Sequence, residues 1–249
     1  MKITFLGTGH GLTEKGRFRT AIMIETGGTS YLIDAGSPVV NQLANMDKEL
    51  KELRTVFITH THNDHLIGLI EMVDSISCTE TGASIDFYIP EENAIDLIKK
   101  YLMATSGILN EEDARMHHYG KDFIYEDENI KLTPFETGHL HKKNRPSYGY
   151  ILECEGKRVI FSGDLSYLLE MNDFPVAAKK QESDLFICEM AHFDFEVLRP
   201  HLLECKTKRL LLNHIKFPNE RIPLLDAENA RGSFSFPISA PNDYDEIVL

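Results

Sequence analysis

At 249 residues, 42% of them hydrophobic, the chain has enough apolar material for one large core, and nothing in it resembles a linker or a low-complexity tract. The formal net charge of −13 removes overall attraction to phosphate backbones, which argues against long nucleic acids as partners and leaves small substrates open. Cys78, Cys154, Cys188 and Cys205 form no CxxC pair, so neither a zinc ribbon nor a disulfide framework is expected, and reduced thiols suit a cytoplasm. No segment approaches the ~20 apolar residues of a membrane span, and MKITFLGTGHG lacks the pattern of a signal peptide. The expectation is one soluble, cytoplasmic domain over residues 1–249, with a homodimer open.

Lys2 to Leu6, Thr20 to Glu25 and Tyr31 to Asp34 read as strands separated by glycine turns, and Val39 to Leu53 carries helical spacing. Val56 to Thr59 reads as the next strand, Leu66 to Ser75 as a helix, and Phe87 to Ile89 as a short strand. Glu91 to Tyr101 predicts an amphipathic helix with Ile95, Leu97, Ile98 and Leu102 as its apolar positions. From Asp122 to Phe161 the pattern turns to strands: Asn129 to Thr137, Tyr148 to Cys154, and Arg158 to Phe161 after the turn Glu155-Gly156-Lys157. Leu185 to Glu189 and Arg209 to Leu212 are further apolar strands, with a helix from about Phe195 to Cys205 between them. Two sheets with helices outside satisfy this order.

Four metal-type ligands crowd into FITHTHNDHLIGL, where His60, His62, Asp64 and His65 stand between an apolar strand and an apolar helix. In extended chain, side chains two positions apart share a face, so His60 and His62 can converge on one ion, while Asp64 and His65 can serve a second from the same short loop. Imidazole and carboxylate at this spacing rarely arise by chance in a solvated loop. Later, His139 follows KLTPFETG, Asp164 follows RVIFSG and His214 follows RLLLN, each where an apolar strand gives way to a loop. Asp164 can bridge two cations and reduce their repulsion. His141 shares the face of His139 in extended chain and competes with it as the ligand.

With these residues the whole chain resembles the metallo-β-lactamase-fold hydrolases, whose HxHxDH signature is matched by HTHNDH. FLGTGHG at residues 5 to 11, RPSYGYILE at 145 to 153 and FSGDL at 161 to 165 resemble the branch of ribonuclease Z and small-molecule phosphodiesterases. The resemblance implies an α/β fold, an αββα sandwich of two mixed β-sheets with helices on both outer faces. It also implies a dimetal site: His60, His62 and His139 on one ion, Asp64, His65 and His214 on the other, and Asp164 bridging. The chain departs from ribonuclease Z in having only 24 residues between His139 and Asp164, too few for that family's tRNA-gripping arm, and in lacking its serine and Arg-Tyr pattern in HIKFPNERIP.

CEMAHF supplies Glu189 at a strand end and His192 three residues later, which resembles a compressed form of the Glu and His that ribonuclease Z uses for proton transfer. Asp64, Glu189 and His192 are therefore the expected catalytic residues. The alternative has Asp194 capping the next helix and His192 as a plain loop residue. His10 either lines the pocket or points to solvent. Arg17, Lys142, Lys143 and Arg145 are the cations nearest the site loops and are candidates to orient an anionic substrate, or else solvated surface charge; Tyr148 binds substrate or packs.

Two divalent ions, zinc with manganese or iron as alternatives, would make hydroxide from bridging water near neutral pH. The leading expectation is a phosphodiesterase of small or cyclic nucleotide-like substrates. A lactone, thioester or β-lactam hydrolase and a ribonuclease Z-like tRNA 3′ endonuclease share the metal motifs. A diiron redox or sensing protein would want a flavin domain or a more carboxylate-rich ligand set, and the chain shows neither.

Overall fold

The computed structural model describes residues 1–249 and divides into two compact units, one comprising 1–120 with 242–248 and the other 121–241. The first unit runs β1 (Lys2–Gly7), β2 (Ala21–Thr26), β3 (Thr29–Ile33), α1 (Val39–Asn45), β4 (Leu53–Phe57), α2 (Asn63–Cys78), β5 (Ile85–Ile89), α3 (Glu92–Thr105) and β6 (Ala114–His118). The second runs β7 (Tyr125–Glu126), β8 (Lys131–Glu136), β9 (Tyr148–Cys154), β10 (Lys157–Phe161), α4 (Val176–Lys180), β11 (Leu185–Met190), α5 (Phe195–Leu202), β12 (Leu210–Ile215), α6 (Pro218–Arg231) and β13 (Ile238–Ser239). The chain then returns to the first unit as β14 (Glu246–Val248).

Each unit is built on one mixed seven-stranded sheet, ordered β14-β1-β2-β3-β4-β5-β6 in the first and β13-β12-β11-β10-β9-β8-β7 in the second. In both, hairpins give antiparallel pairs at one side and helical crossovers give parallel pairs at the other. Strands buried on both faces read as continuous apolar runs, as in LFIC of β11, and full burial of a large apolar side chain such as Leu185 or Phe186 stabilises the core by roughly 1.5–3 kcal/mol. In the first unit Val56, Phe87 and Met23 pack with Leu69, Met72 and Val73 of α2; in the second Phe186, Cys188 and Leu212 pack with Leu198 and Leu202 of α5.

The expected elements are present with shifted ends. The helix expected over Val39–Leu53 stops at Asn45, because Asp47 turns left-handed (φ 55°), and Leu50–Glu52 forms a separate 3-10 turn before β4. In α3 the buried positions are Ile95, Ile98 and Leu102; Leu97 lies off that stripe and is 65% exposed. The strand β6 escaped the sequence reading, since its Arg and His residues mask the apolar alternation, as did α6, which carries Pro223 inside it. None of the helices is long and apolar enough to cross a membrane, and all four cysteines are free thiols.

Candidate metal centre

In the first unit the helix starts earlier than expected. Asn63 begins α2, so Asp64 and His65 sit in its first turn rather than in the preceding loop, and the carboxylate of Asp64 lies at the positive end of the helix. His60 and His62 come from the loop after β4, with ring centroids 4.7 Å apart, and the His60 and His65 centroids are 4.1 Å apart. His65 Nε2 stands 3.5 Å from Asp64 Oδ2.

What aims His65 is a residue that sequence reasoning missed. Asp34, buried at the end of β3, accepts a 2.7 Å hydrogen bond from His65 Nδ1 and another of 2.8 Å from the Thr59 amide. With Nδ1 committed as a donor, the lone pair of Nε2 is turned toward Asp64, the arrangement that orients ligating histidines. A carboxylate ending the buried strand YLID, before the small residues Ala35 and Gly36, was the available signal. His10 is buried and engaged within its own loop, Nε2 with Glu14 at 3.1 Å and Nδ1 with the Leu12 amide at 3.3 Å. Gly11 brings that loop beside Asp64: a Cβ there would lie 3.3 Å from Asp64 Oδ2.

In the second unit Asp164 follows β10 through a turn that needs glycine. Gly163 has φ 59°, and a Cβ on it would meet the Tyr148 carbonyl oxygen. Around the buried Asp164 carboxylate stand three imidazole nitrogens, His214 Nδ1 at 3.5 Å, His139 Nε2 at 3.7 Å and His192 Nδ1 at 3.9 Å. His139, Asp164 and His192 bring ligand atoms within 4.8 Å of one another, as do Glu189, His192 and His214. These separations exceed hydrogen-bond length; ligands about 2.0–2.2 Å from a tetrahedral zinc stand roughly 3.3–3.6 Å apart, a range that His214 meets and His139 nearly reaches, while His192 stands further off.

His214 does not lie beyond its strand as expected. Glu189 pairs with Asn213 and Met190 with Ile215, so His214 is the extra residue of a β-bulge within β12, at φ 50°. The bulge aims its side chain at Asp164. Glu189, also buried, accepts from the amides of Leu165 (2.9 Å), Ala191 (2.7 Å) and His192 (3.2 Å), and its Oε1 lies 2.9 Å from His192 Nδ1. Asp194 stands at the start of α5 without a side-chain capping bond.

His139 and not His141 enters this group: His141 begins an exposed 3-10 turn, whereas His139 Nδ1 bonds the Leu165 carbonyl at 3.3 Å and turns Nε2 toward Asp164. His139→Ala is therefore expected to lower bound metal far more than His141→Ala, measured by elemental analysis of the purified proteins; the reverse order would make His141 the ligand. Asp173, also missed, ties the two loops together. Its Oδ2 accepts from the Gly138 amide (2.7 Å) and the Ser166 amide (2.8 Å), and Oδ1 accepts from the Ser166 hydroxyl (2.6 Å). Arg17 is engaged with Thr8 and Asn242, Lys142 pairs with Glu170, and Tyr148 packs in the core, where burial pushes its phenol pKa up.

The two mixed sheets form a metallo-β-lactamase fold, and these His and Asp groups are of the kind that could hold metal ions. The family model described as anti-Pycsar protein Apyc1 matches residues 1–213, and the chain belongs to that family. The ribonuclease Z of Synechococcus sp. (strain CC9311) is 28% identical over 192 residues, 74% of this chain and 59% of that protein. The chain spans about half the length of the curated relatives it matches. Among solved structures, the metallo-β-lactamase fold protein YhfI from Bacillus subtilis superposes with a TM-score of 0.77 at 16% identity, over 99% of each chain. A diphosphatase from the PhnP family gives 0.69 at 19% identity, over 100% of this chain and 97% of that one.

Proposed function

We propose that the two units work as one hydrolase domain and that the chain is a dimetal phosphodiesterase of small or cyclic nucleotide-like substrates. In this reading His60, His62 and His139 hold one ion, Asp64, His65 and His214 the other, and Asp164 bridges them. Two divalent ions there supply Lewis acidity and bring the ionisation of water near neutral pH. The observation that carries the reading is Asp164 ringed by three imidazoles, one of them, His192, held by the buried carboxylate of Glu189.

The chain's own residues then divide the work. Asp34 and Glu189 each fix one imidazole by its Nδ1, which leaves Nε2 of His65 for coordination and Nε2 of His192 to carry a proton to a leaving oxygen. Phosphorus rather than carbonyl carbon as the centre attacked is supported by relatives named ribonuclease Z. Elemental analysis should give about two ions per chain, and a substrate panel should show diester hydrolysis ahead of lactone and β-lactam hydrolysis. Turnover of a lactone or β-lactam with none of any diester would overturn the assignment.

The same relatives' name favours a second reading, cleavage of precursor tRNA. Against it, the interval from His139 to Asp164 is filled by a short turn and the β9–β10 hairpin, with no arm, and the net charge is −13. Weak binding and poor 3′ processing of precursor tRNA are expected. Efficient, accurate cleavage by the purified chain would make ribonuclease Z the function.

A further inference from the structure

Between β1 and β2 the chain loops out over residues 8–19, and the two legs of that loop run closer together than side chains would permit. A Cβ on Gly7 would clash with the Arg19 carbonyl oxygen. One on Gly9 would come within 2.8 Å of the Phe18 carbonyl oxygen, which accepts a 2.7 Å hydrogen bond from the Gly9 amide. The glycines of FLGTGHG therefore close the neck of the loop.

One carboxylate latches both legs. Asp243 Oδ1 accepts from the Thr8 amide at 2.8 Å and the Thr8 hydroxyl at 2.6 Å, while Oδ2 accepts from the Phe18 amide at 2.6 Å. Arg17 spans the same junction, donating to the buried Thr8 hydroxyl and to Asn242 Oδ1. The segment that carries Asp243 is itself fixed to β1. Its Tyr244 amide donates to the Phe5 carbonyl at 2.6 Å, the Phe5 amide donates to the Asp245 carbonyl at 3.0 Å, and the chain continues into β14 alongside. Hydrogen bonds to an ionised carboxylate are among the strong ones, so the loop is held from a fixed strand edge.

What the loop grips is Asp64. On the carboxylate side, a Cβ at Gly11 would stand 3.3 Å from Asp64 Oδ2. On the backbone side, the returning leg packs on Gly36, where a Cβ would lie 2.6 Å from both Arg19 Cβ and the Asp64 carbonyl oxygen. Gly11 has no left-handed φ, so alanine fits its backbone and the added methyl would press on Asp64 alone.

We propose that the loop over residues 8–19 is a clamp that sets the Asp64 carboxylate for metal binding, with Asp243 as its latch. Gly11 and Asp243 are then positioning residues for a ligand neither of them replaces. The inference rests on the assignment of Asp64 as a ligand in the proposed dimetal site.

The test measures zinc affinity of metal-stripped proteins by competition with a chromophoric chelator. Gly11→Ala and Asp243→Ala should each weaken one of two zinc ions by about tenfold and leave the other unchanged, the lower end of the effect of residues that orient ligands. Asp64→Ala should weaken that same ion, and Lys15→Ala, at the exposed tip of the loop, should match the parent. The double variant should bind no more weakly than Asp243→Ala alone, because an unlatched loop backs away from the methyl group. Metal-free Gly11→Ala should melt with the metal-free parent, which separates positioning from folding. Parent-like zinc affinity in Gly11→Ala, or losses that add fully in the double variant, would overturn the clamp. If the parent binds no zinc, or Asp64→Ala binds it as the parent does, the ligand reading fails by itself. The carboxyl carbon resonance of Asp64 in metal-free protein then decides: a shift in Gly11→Ala that Asp243→Ala cancels supports the clamp, and an unshifted resonance overturns it.

Discussion

Asp164→Ala is expected to lower diester hydrolysis by about 10³-fold or more, equivalent to ~4 kcal/mol of transition-state stabilisation. The reason is its place in the second unit: a buried carboxylate with imidazoles of His139 and His192 converging on it from two loops and that of His214 from the bulge in β12. Removing the anion leaves ions that it would bridge to repel one another across the gap, and no nearby residue replaces it, because Glu189 is occupied by three amides and His192. Elemental analysis of the variant should show fewer bound ions, and steady-state kinetics should show the loss in kcat. Turnover equal to the parent's would remove the dimetal mechanism.

The second large effect concerns proton delivery. His192→Ala should slow an alkyl phosphodiester by roughly 10²-fold while affecting a nitrophenyl diester much less, with metal content unchanged. An alkoxide leaving group is a strong base and needs a proton as it departs; nitrophenolate does not. The 2.9 Å contact between Glu189 Oε1 and His192 Nδ1 is what makes the imidazole a directed donor, so Glu189→Gln should follow the same pattern more mildly. Equal slowing of both substrates would indicate a positioning or folding role. Loss of metal would make His192 a ligand, a role that its 3.9 Å approach to Asp164 Oδ2 also allows.

Much of the fold is legible in the sequence because strand and helix periods are strong where one face is buried. LFICE and RLLL announce β11 and most of β12, and HTHNDH marks the loop and helix start where four metal-type side chains meet. What escaped was set by tertiary context. The sixth strand of the first sheet carries Arg115 and His117, polar residues that fit there because Asp86 on β5 takes Arg115 in a two-point ion pair (2.8 and 2.9 Å) and His117 at 2.7 Å. Asp34 and Asp173 escaped because each acts on another residue's geometry, and neither has a spacing that advertises it. His139 was separable from His141 only once a 3-10 turn replaced the extended chain that would have put both on one face.

The bulge at His214 has a further consequence for the strand that carries it. Along β12 the side chains that enter the helix-facing core are Leu210, Leu212 and then Ile215, a change from even to odd positions. Neighbouring β11 keeps strict alternation with Phe186, Cys188 and Met190, which stand opposite those three. The inserted residue therefore resets the parity of the strand: it turns one side chain toward Asp164 and returns the next to the hydrocarbon interior. In an unbroken ladder the same stretch would have to choose, because His214 would take the core position that Ile215 now fills and Ile215 would face the opposite side. The contact with Asp164 and the core packing draw on consecutive residues here without competing, and a single-residue deletion in this stretch would disturb both at once.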